Sequence, residues 1–383
     1  MKQALTAASA LILAGAPAVS GEIERRGDPS QILFEEGKNY VEFSVRSADP
    51  DVSGDSTVTP ALGTYAPTGD IQDRYQNYAL GYKRQVSERL SLAFVIDEPV
   101  GADATYPGPP GTGGPGSGPF FGTSFAEVDS VRYSGMARYK ATDRVSVYGG
   151  LNLVGLEGDL EVVSPITAPA PSAPGTPPPG TPYSLSVDKD YRLGYMLGVA
   201  YEIPDIALRV ALTYESKTEH EFDDNTGAPF EVELPQSVTL HAQTGIAADT
   251  LLFGSVRWRE WTQFEIAPDD FFRFAPGQPP ANSPITFGTE DIFTYRLGLG
   301  RQFSENWSGA FILGYEDQHD NEISNLSGTD GYISYTVALT HETESWDVTG
   351  ALSYIDIGNA DSNASAFRGN DALAFGLKVG LRF

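Results

Sequence analysis

The chain has 383 residues and carries 51 acidic against 25 basic side chains, a formal charge of −26. That sign excludes nucleic acid as a partner, because binding phosphates requires clustered cations. Cysteine is absent, which excludes disulfides and thiolate metal sites, while 41 Gly, 19 Tyr, 20 Phe and a negative mean hydropathy suit many short alternating strands.

At the start, Lys2 precedes an apolar stretch from Ala4 to Ala18, with small residues at Ala16, Ala18 and Ser20. This is the pattern of a secretory signal peptide over residues 1–20, with a mature chain beginning near Gly21. Residues 21–39 then form a short N-terminal hatch ahead of the first strand. No later segment reaches the roughly 18 uninterrupted apolar residues of a spanning helix. Any membrane crossing must therefore be made by a closed barrel.

Period-two alternation predicts strands near 40–50, 73–86, 90–100, 123–140, 144–160, 187–202, 206–222, 231–244, 251–262, 289–303, 307–317, 331–342, 345–355 and 371–383. The total is fourteen, an even number, as in single-chain bacterial barrels. Connections after every second strand are short, as in Ser87-Glu88-Arg89 and Ser304-Glu305-Asn306. The intervening ones are mostly long, near 51–72, 101–122, 161–186 and 262–288. Short periplasmic turns alternating with long extracellular loops produce this rhythm. Two of the loops, Pro107 to Pro119 and Pro165 to Pro182, are Pro-rich and read as stiff exposed excursions.

The last strand is the clearest. Leu373, Phe375, Leu377, Val379, Leu381 and Phe383 share one face, and Ala374, Gly376, Lys378, Gly380 and Arg382 the other. An Arg facing lipid at mid-depth costs roughly 2–4 kcal/mol, so cation-bearing faces belong inside. By that argument Arg46, Lys83, Arg132, Arg138, Arg192, Arg209, Arg296 and Lys378 line the lumen, as does the face carrying Phe253, Arg257, Arg259 and Trp261. Tyr78, Tyr82, Tyr133, Tyr139, Tyr191, Tyr195, Tyr201, Trp307 and Tyr335 fall outside and suit aromatic girdles.

The fold class expected is therefore all-β: a transmembrane antiparallel β-barrel over residues 40–383 in the bacterial outer membrane, its C-terminus periplasmic. The acidic runs Asp223-Asp224-Asn225 and His319-Asp320-Asn321-Glu322 lack the full spacing of a calcium loop. No metal and no cofactor is predicted. Neither a Gly-x-Ser-x-Gly elbow nor a His-Glu-x-x-His motif is present, which argues against an enzyme.

A family resemblance rests on Arg26-Gly27-Asp28-Pro29-Ser30-Gln31-Ile32-Leu33-Phe34 leading into Asn39-Tyr40-Val41-Glu42-Phe43, on Leu90-Ser91-Leu92-Ala93-Phe94 with Glu98-Pro99-Val100-Gly101-Ala102, and on Leu234-Pro235-Gln236-Ser237 with Val256-Arg257-Trp258-Arg259-Glu260-Trp261. The chain resembles the FadL-type outer-membrane transporters of long-chain fatty acids and other hydrophobic compounds. Its hatch is shorter than the family's, and Asp28-Pro29-Ser30 stands where Asn-Pro-Ala is usual.

The resemblance implies passive uptake of a hydrophobic small molecule, most readily a long-chain fatty acid, through the lumen. It also implies lateral exit at an inward kink of the third strand, marked by Pro99 and Gly101. Outer-membrane lipid, lipopolysaccharide and the outer-membrane assembly machinery are the other partners expected of a monomer of this kind. Arg257 and Arg259 are the first candidates to receive a ligand carboxylate, with Phe253, Trp261, Arg296 and Arg192 as further ligand-binding candidates. In the hatch, Asp28 and Pro29 set the turn, and Ile32, Leu33 and Phe34 contact the acyl chain or close its pocket. The rival reading is a diffusion porin for hydrophilic solutes.

Overall fold

A computed structural model describes residues 23–57, 64–111, 118–169, 180–273, 281–319, 321–324 and 326–383. The signal segment 1–20 and the centres of both Pro-rich loops lie outside the described residues.

Fourteen antiparallel strands close into a barrel. They are β1 (Asn39–Asp51), β2 (Tyr75–Gln85), β3 in two pieces (Leu90–Asp97 and Ala102–Thr105), β4 (Phe125–Lys140), β5 (Val145–Val162), β6 (Tyr183–Ile203), β7 (Leu208–Glu215), β8 (Ser237–Ala247), β9 (Thr250–Arg259), β10 (Ile292–Gln302), β11 (Trp307–Glu316), β12 (Tyr332–Glu342), β13 (Trp346–Ile357) and β14 (Asp371–Arg382). Consecutive strands pair, and β1 shuts the ring against β14 with Tyr40 opposite Arg382. Closure pairs the strands around the ring, so the backbone polar groups of those ladders are satisfied without water.

Alternation sorts the two faces as expected. Leu193, Leu297 and Val337 point outward and are 65%, 56% and 61% exposed. So many exposed large apolar side chains on one continuous surface face lipid. Arg46, Lys83, Arg132, Arg138, Arg209 and Lys378 are buried inside, and Arg192 and Arg296 are half-buried on the same face.

Three predicted strands differ from those observed. The third runs unbroken in the alternation to residue 100, but the structure interrupts it between Asp97 and Ala102. The stretches 206–222 and 231–244 each read as one strand. Instead β7 stops at Glu215 and β8 starts at Ser237, while Thr218–Asp223 and Pro229–Leu234 leave the wall as a separate two-stranded ribbon. Alternation persists through Ser216-Lys217 because the ribbon still has a buried face: Phe222, Phe230, Val232 and Leu234 are all inward.

That face joins a continuous apolar core at the long-loop end, with Val52, Ile71, Tyr106, Phe120, Phe121, Tyr183, Phe264, Phe271 and Phe367. Short strand pieces pair here, Gly54–Ser56 with Ser365–Phe367 from two different loops and Glu265–Ile266 with Thr286–Phe287 within one. The mouth is thereby closed like the interior of a water-soluble domain. At the other end the connections are short turns.

If the outward face is lipid-exposed, Leu297→Arg should lower the unfolding free energy by about 2–4 kcal/mol in a urea titration of the bilayer-inserted barrel, whereas a loss of about 1 kcal/mol or less would place Leu297 outside the hydrocarbon.

Candidate functional site

The hatch lies inside the barrel. Pro29–Phe34 forms a 3-10 turn whose N-cap, Asp28, accepts the Ser30 N–H at 2.7 Å, and Pro29 at the first position supplies the matching backbone angle. Asp28 also accepts from Thr213 Oγ1 of β7 at 2.8 Å and meets His241 of β8 at 3.4 Å. On the opposite side of the turn, Ile32 enters a gap in the wall at Gly81, where a Cβ would lie 2.4 Å from Ile32 Cδ1. Ile32 and Leu33 are 1% exposed, and the Phe34 ring meets Tyr148 edge-on with centroids 5.5 Å apart.

Above this turn, the hatch runs antiparallel to the break in β3. Arg25 N–H and Arg26 N–H donate to the Pro99 carbonyl at 2.9 and 3.1 Å, and Gly101 N–H donates to the Ile23 carbonyl at 2.9 Å. Pro99 has no N–H to leave unpaired when the strand turns inward. Gly101 leaves room for the Arg25 side chain: a Cβ there would lie 2.7 Å from Arg25 Nε, so a larger residue displaces that side chain. The turn leaves part of β2 without a neighbour, and Glu98 compensates by accepting Tyr78 N–H at 3.0 Å and Asn77 Nδ2 at 2.8 Å through one carboxylate oxygen.

The side chains of this upper hatch segment meet the lumenal cations. Glu24 Oε1 accepts from Arg257 Nε at 3.0 Å and Arg259 Nη1 at 2.8 Å. Arg257 Nη1 reaches Glu215 at 3.1 Å. Arg132 forks onto Asp97 at 2.9 and 2.7 Å, bonds Glu215 at 2.9 Å and donates to the Gly27 carbonyl at 2.8 Å. Arg296 lines a small polar cavity with Gly27, Asp28 and His241, and its Nε is buried without a hydrogen-bond partner.

Directly above Glu24 are two adjoining apolar cavities of about 80 and 40 Å³, both lined by Ile23, Val128, Leu160, Phe264 and Ile266. Phe222 and Phe230 of the ribbon complete the second. Beside them on the ribbon is His220, fully buried, stacked on Phe222 and 3.2 Å from Asp190. Burial holds its imidazole below the ordinary range despite the attraction of Asp190, so it stays uncharged at neutral pH.

Of the residues singled out from sequence, the structure gathers Arg257, Arg259 and Arg296 around the upper hatch. Trp261 caps them: it is 1% exposed, its ring 4.7 Å from the Arg259 guanidinium and 5.4 Å from Phe264. Phe253 lies apart, in a cluster with Leu251 and Ile312 where its ring covers Gly298. Arg192 pairs with Asp190 and Glu221 near the ribbon. Ile32 and Leu33 line neither apolar cavity; with Phe34 they fill the lumen between those cavities and the short-turn end. Sequence reasoning passed over Glu24 and the apolar lining from the loops. Neither leaves a signal in the local sequence.

Removing the Glu24 carboxylate should free the upper hatch from the wall. Hydrogen exchange at Arg25 and Arg26 is expected to quicken by about tenfold or more in Glu24→Gln, from loss of two charge-assisted bonds. Exchange across Pro29–Phe34 should stay as in the parent, and unchanged exchange at Arg25 and Arg26 would show that the backbone pairing together with the Arg25–Asp103 and Arg26–Asn77 bonds holds the segment without Glu24.

A search of curated proteins finds no match to the chain. Among solved structures, a Pseudomonas aeruginosa FadL homologue superposes with a TM-score of 0.73 at 13% identity, covering 99% of this chain and 98% of that one. The Pseudomonas putida toluene transporter TodX gives 0.67 at 13% identity, covering 97% and 99%. The Ralstonia pickettii toluene transporter TbuX gives 0.63 at 13% identity, again covering 97% and 99%. At such identities these similarities establish the fold. The family described as outer membrane protein transport protein (OMPP1/FadL/TodX) matches residues 6–308. The chain belongs to this family of outer-membrane transporters, which are passive channels for hydrophobic compounds and not enzymes.

Proposed function

We propose that this chain takes up amphipathic hydrophobic molecules with an acidic head, long-chain fatty acids foremost, by passive movement from the long-loop side to a lateral exit at the break in β3. In this reading the long loops are extracellular and the C-terminus periplasmic. The observation that carries it is the pairing of the Arg257 and Arg259 guanidinium groups with a single carboxylate, that of Glu24, which itself lines the larger apolar cavity. A bound acid would place its tail among Ile23, Val128, Leu160 and Phe264 and its head where Glu24 now sits, with Arg296 adding a donor from the neighbouring polar cavity.

Displacing Glu24 has a mechanical consequence. Ile23–Arg26 is bonded to Pro99 and Gly101, so movement of that segment loosens the turn that closes the gap beside β2. Entry of the head group and opening of the side exit are then one event. A hydrocarbon without a head group would fill the cavity but leave Glu24 in place.

The reading separates two variants. Arg257→Ala with Arg259→Ala should reduce uptake of a long-chain fatty acid about tenfold, the cost of losing charge-assisted bonds to the head, and should not lower uptake of an uncharged aromatic hydrocarbon, since the hatch is released as well. Gly101→Val, which forces Arg25 and the upper hatch away from the break, should alter uptake of both. Equal uptake of the fatty acid by the parent and the double variant, both assembled, would refute the head-group assignment.

A further inference from the structure

A cavity of about 370 Å³ opens at the short-turn end, separated from the apolar cavities by the hatch turn. Leu33 and Phe34 form its ceiling, Lys83 of β2, Arg138 and Lys140 of β4 and Arg209 of β7 line its walls, and the acids Glu35, Glu36 and Glu202 lie among them. Two of these cations are occupied. Lys83 Nζ donates to the carbonyls of Glu35 and Gly37 at 2.9 and 2.8 Å, and Arg138 is paired with Glu202.

Arg209 is different. It is 6% exposed, its guanidinium lies 4.6 Å from the Phe34 ring centroid, and it forms no hydrogen bond or ion pair with any described residue. The Arg138 guanidinium lies 4.1 Å from the same centroid, so two cations share one aromatic ring, while the Glu202 carboxylate is held by Arg138 and the Glu35 carboxylate lies 3.5 Å from Lys378. An aromatic face compensates a buried guanidinium only in part. The planar donor fork of Arg209 remains available to an oxyanion in the cavity.

We propose that this cavity is a second binding site, taking the carboxylate or phosphate head of an amphiphile on Arg209, with Lys140 at the rim and Leu33, Phe34 and Leu208 against the first carbons of its tail. Two sources share this chemistry: an acid released from the lumen and a phospholipid of the surrounding leaflet. The site does not depend on Arg257 and Arg259, which lie on the other side of the hatch.

The test is calorimetric titration of the full chain, refolded in a nonionic detergent, with octanoate, with dihexanoyl phosphatidylglycerol and with octanol as the uncharged control. Arg209→Gln should weaken binding of at least one anion by about tenfold and leave octanol unaffected, while Arg209→Lys should keep most of the affinity. Lys140→Gln, at the rim, should weaken the same anion and serves as a second variant if Arg209→Gln does not refold. A response confined to octanoate identifies the transported acid as the occupant, and one confined to phosphatidylglycerol identifies a membrane lipid. Affinities for both anions that are unchanged by Arg209→Gln and by Lys140→Gln, or the absence of anion binding by the parent, would overturn the proposal.

Discussion

A cation on the inner wall of a lipid-embedded barrel has to be matched by an oxygen within reach, because burying it unpaired costs several kcal/mol. In this protein much of the matching oxygen is carried by the hatch. Glu24 holds Arg257 and Arg259, the Gly27 carbonyl takes Arg132, the Leu33 carbonyl faces Arg138, and the carbonyls of Glu35 and Gly37 take Lys83. The Glu35 carboxylate lies 3.5 Å from Lys378. Such spacing explains how so short a segment can be seated firmly. It does not need a large apolar interface, because anchors from β2, β4, β9 and β14 converge on it from around the ring.

The same arrangement joins the hatch to the one irregularity in the wall. Between Asp97 and Ala102 the third strand gives up its ladder partners, and the hatch backbone supplies replacements. Glu98 supplies others on the outer side through Asn77 and Tyr78. Part of what the break exposes is thus taken up by a segment that can move, and at this place the wall opens if a short inner strand shifts.

Much of this was legible in the sequence, for physical reasons. Period-two alternation is enforced at every position of a strand with lipid on one side and a polar lumen on the other, so the strands, their even number and the inward arginines followed directly. Long and short connections alternated because only one end of the barrel builds loops. The bend at Ser216-Lys217 was not legible, since Phe222 and Phe230 keep the alternation beyond it, and the one at Glu98 was expected only through the family resemblance, Pro99 by itself marking a strand end. The partner of Arg257 and Arg259 was equally hidden. Pairing between residues more than two hundred positions apart leaves no local trace, and Glu24 reads in isolation as one acid among 51 acidic residues. The apolar cavities escaped notice because their lining is assembled from separate parts of the chain, Ile23 of the hatch, Val128 of β4, Leu160 of β5 and Phe264 and Ile266 of the loop after β9.

The central claim is that Glu24 occupies the place of a ligand head group and that its displacement couples binding to the break in β3. The most direct test is a structure of the protein with a long-chain fatty acid bound. The account predicts the carboxylate on Arg257 and Arg259, Glu24 swung away and the bonds from Arg25 and Arg26 to Pro99 broken. A bound acid whose head lies elsewhere, with Glu24 still on both arginines, would contradict it.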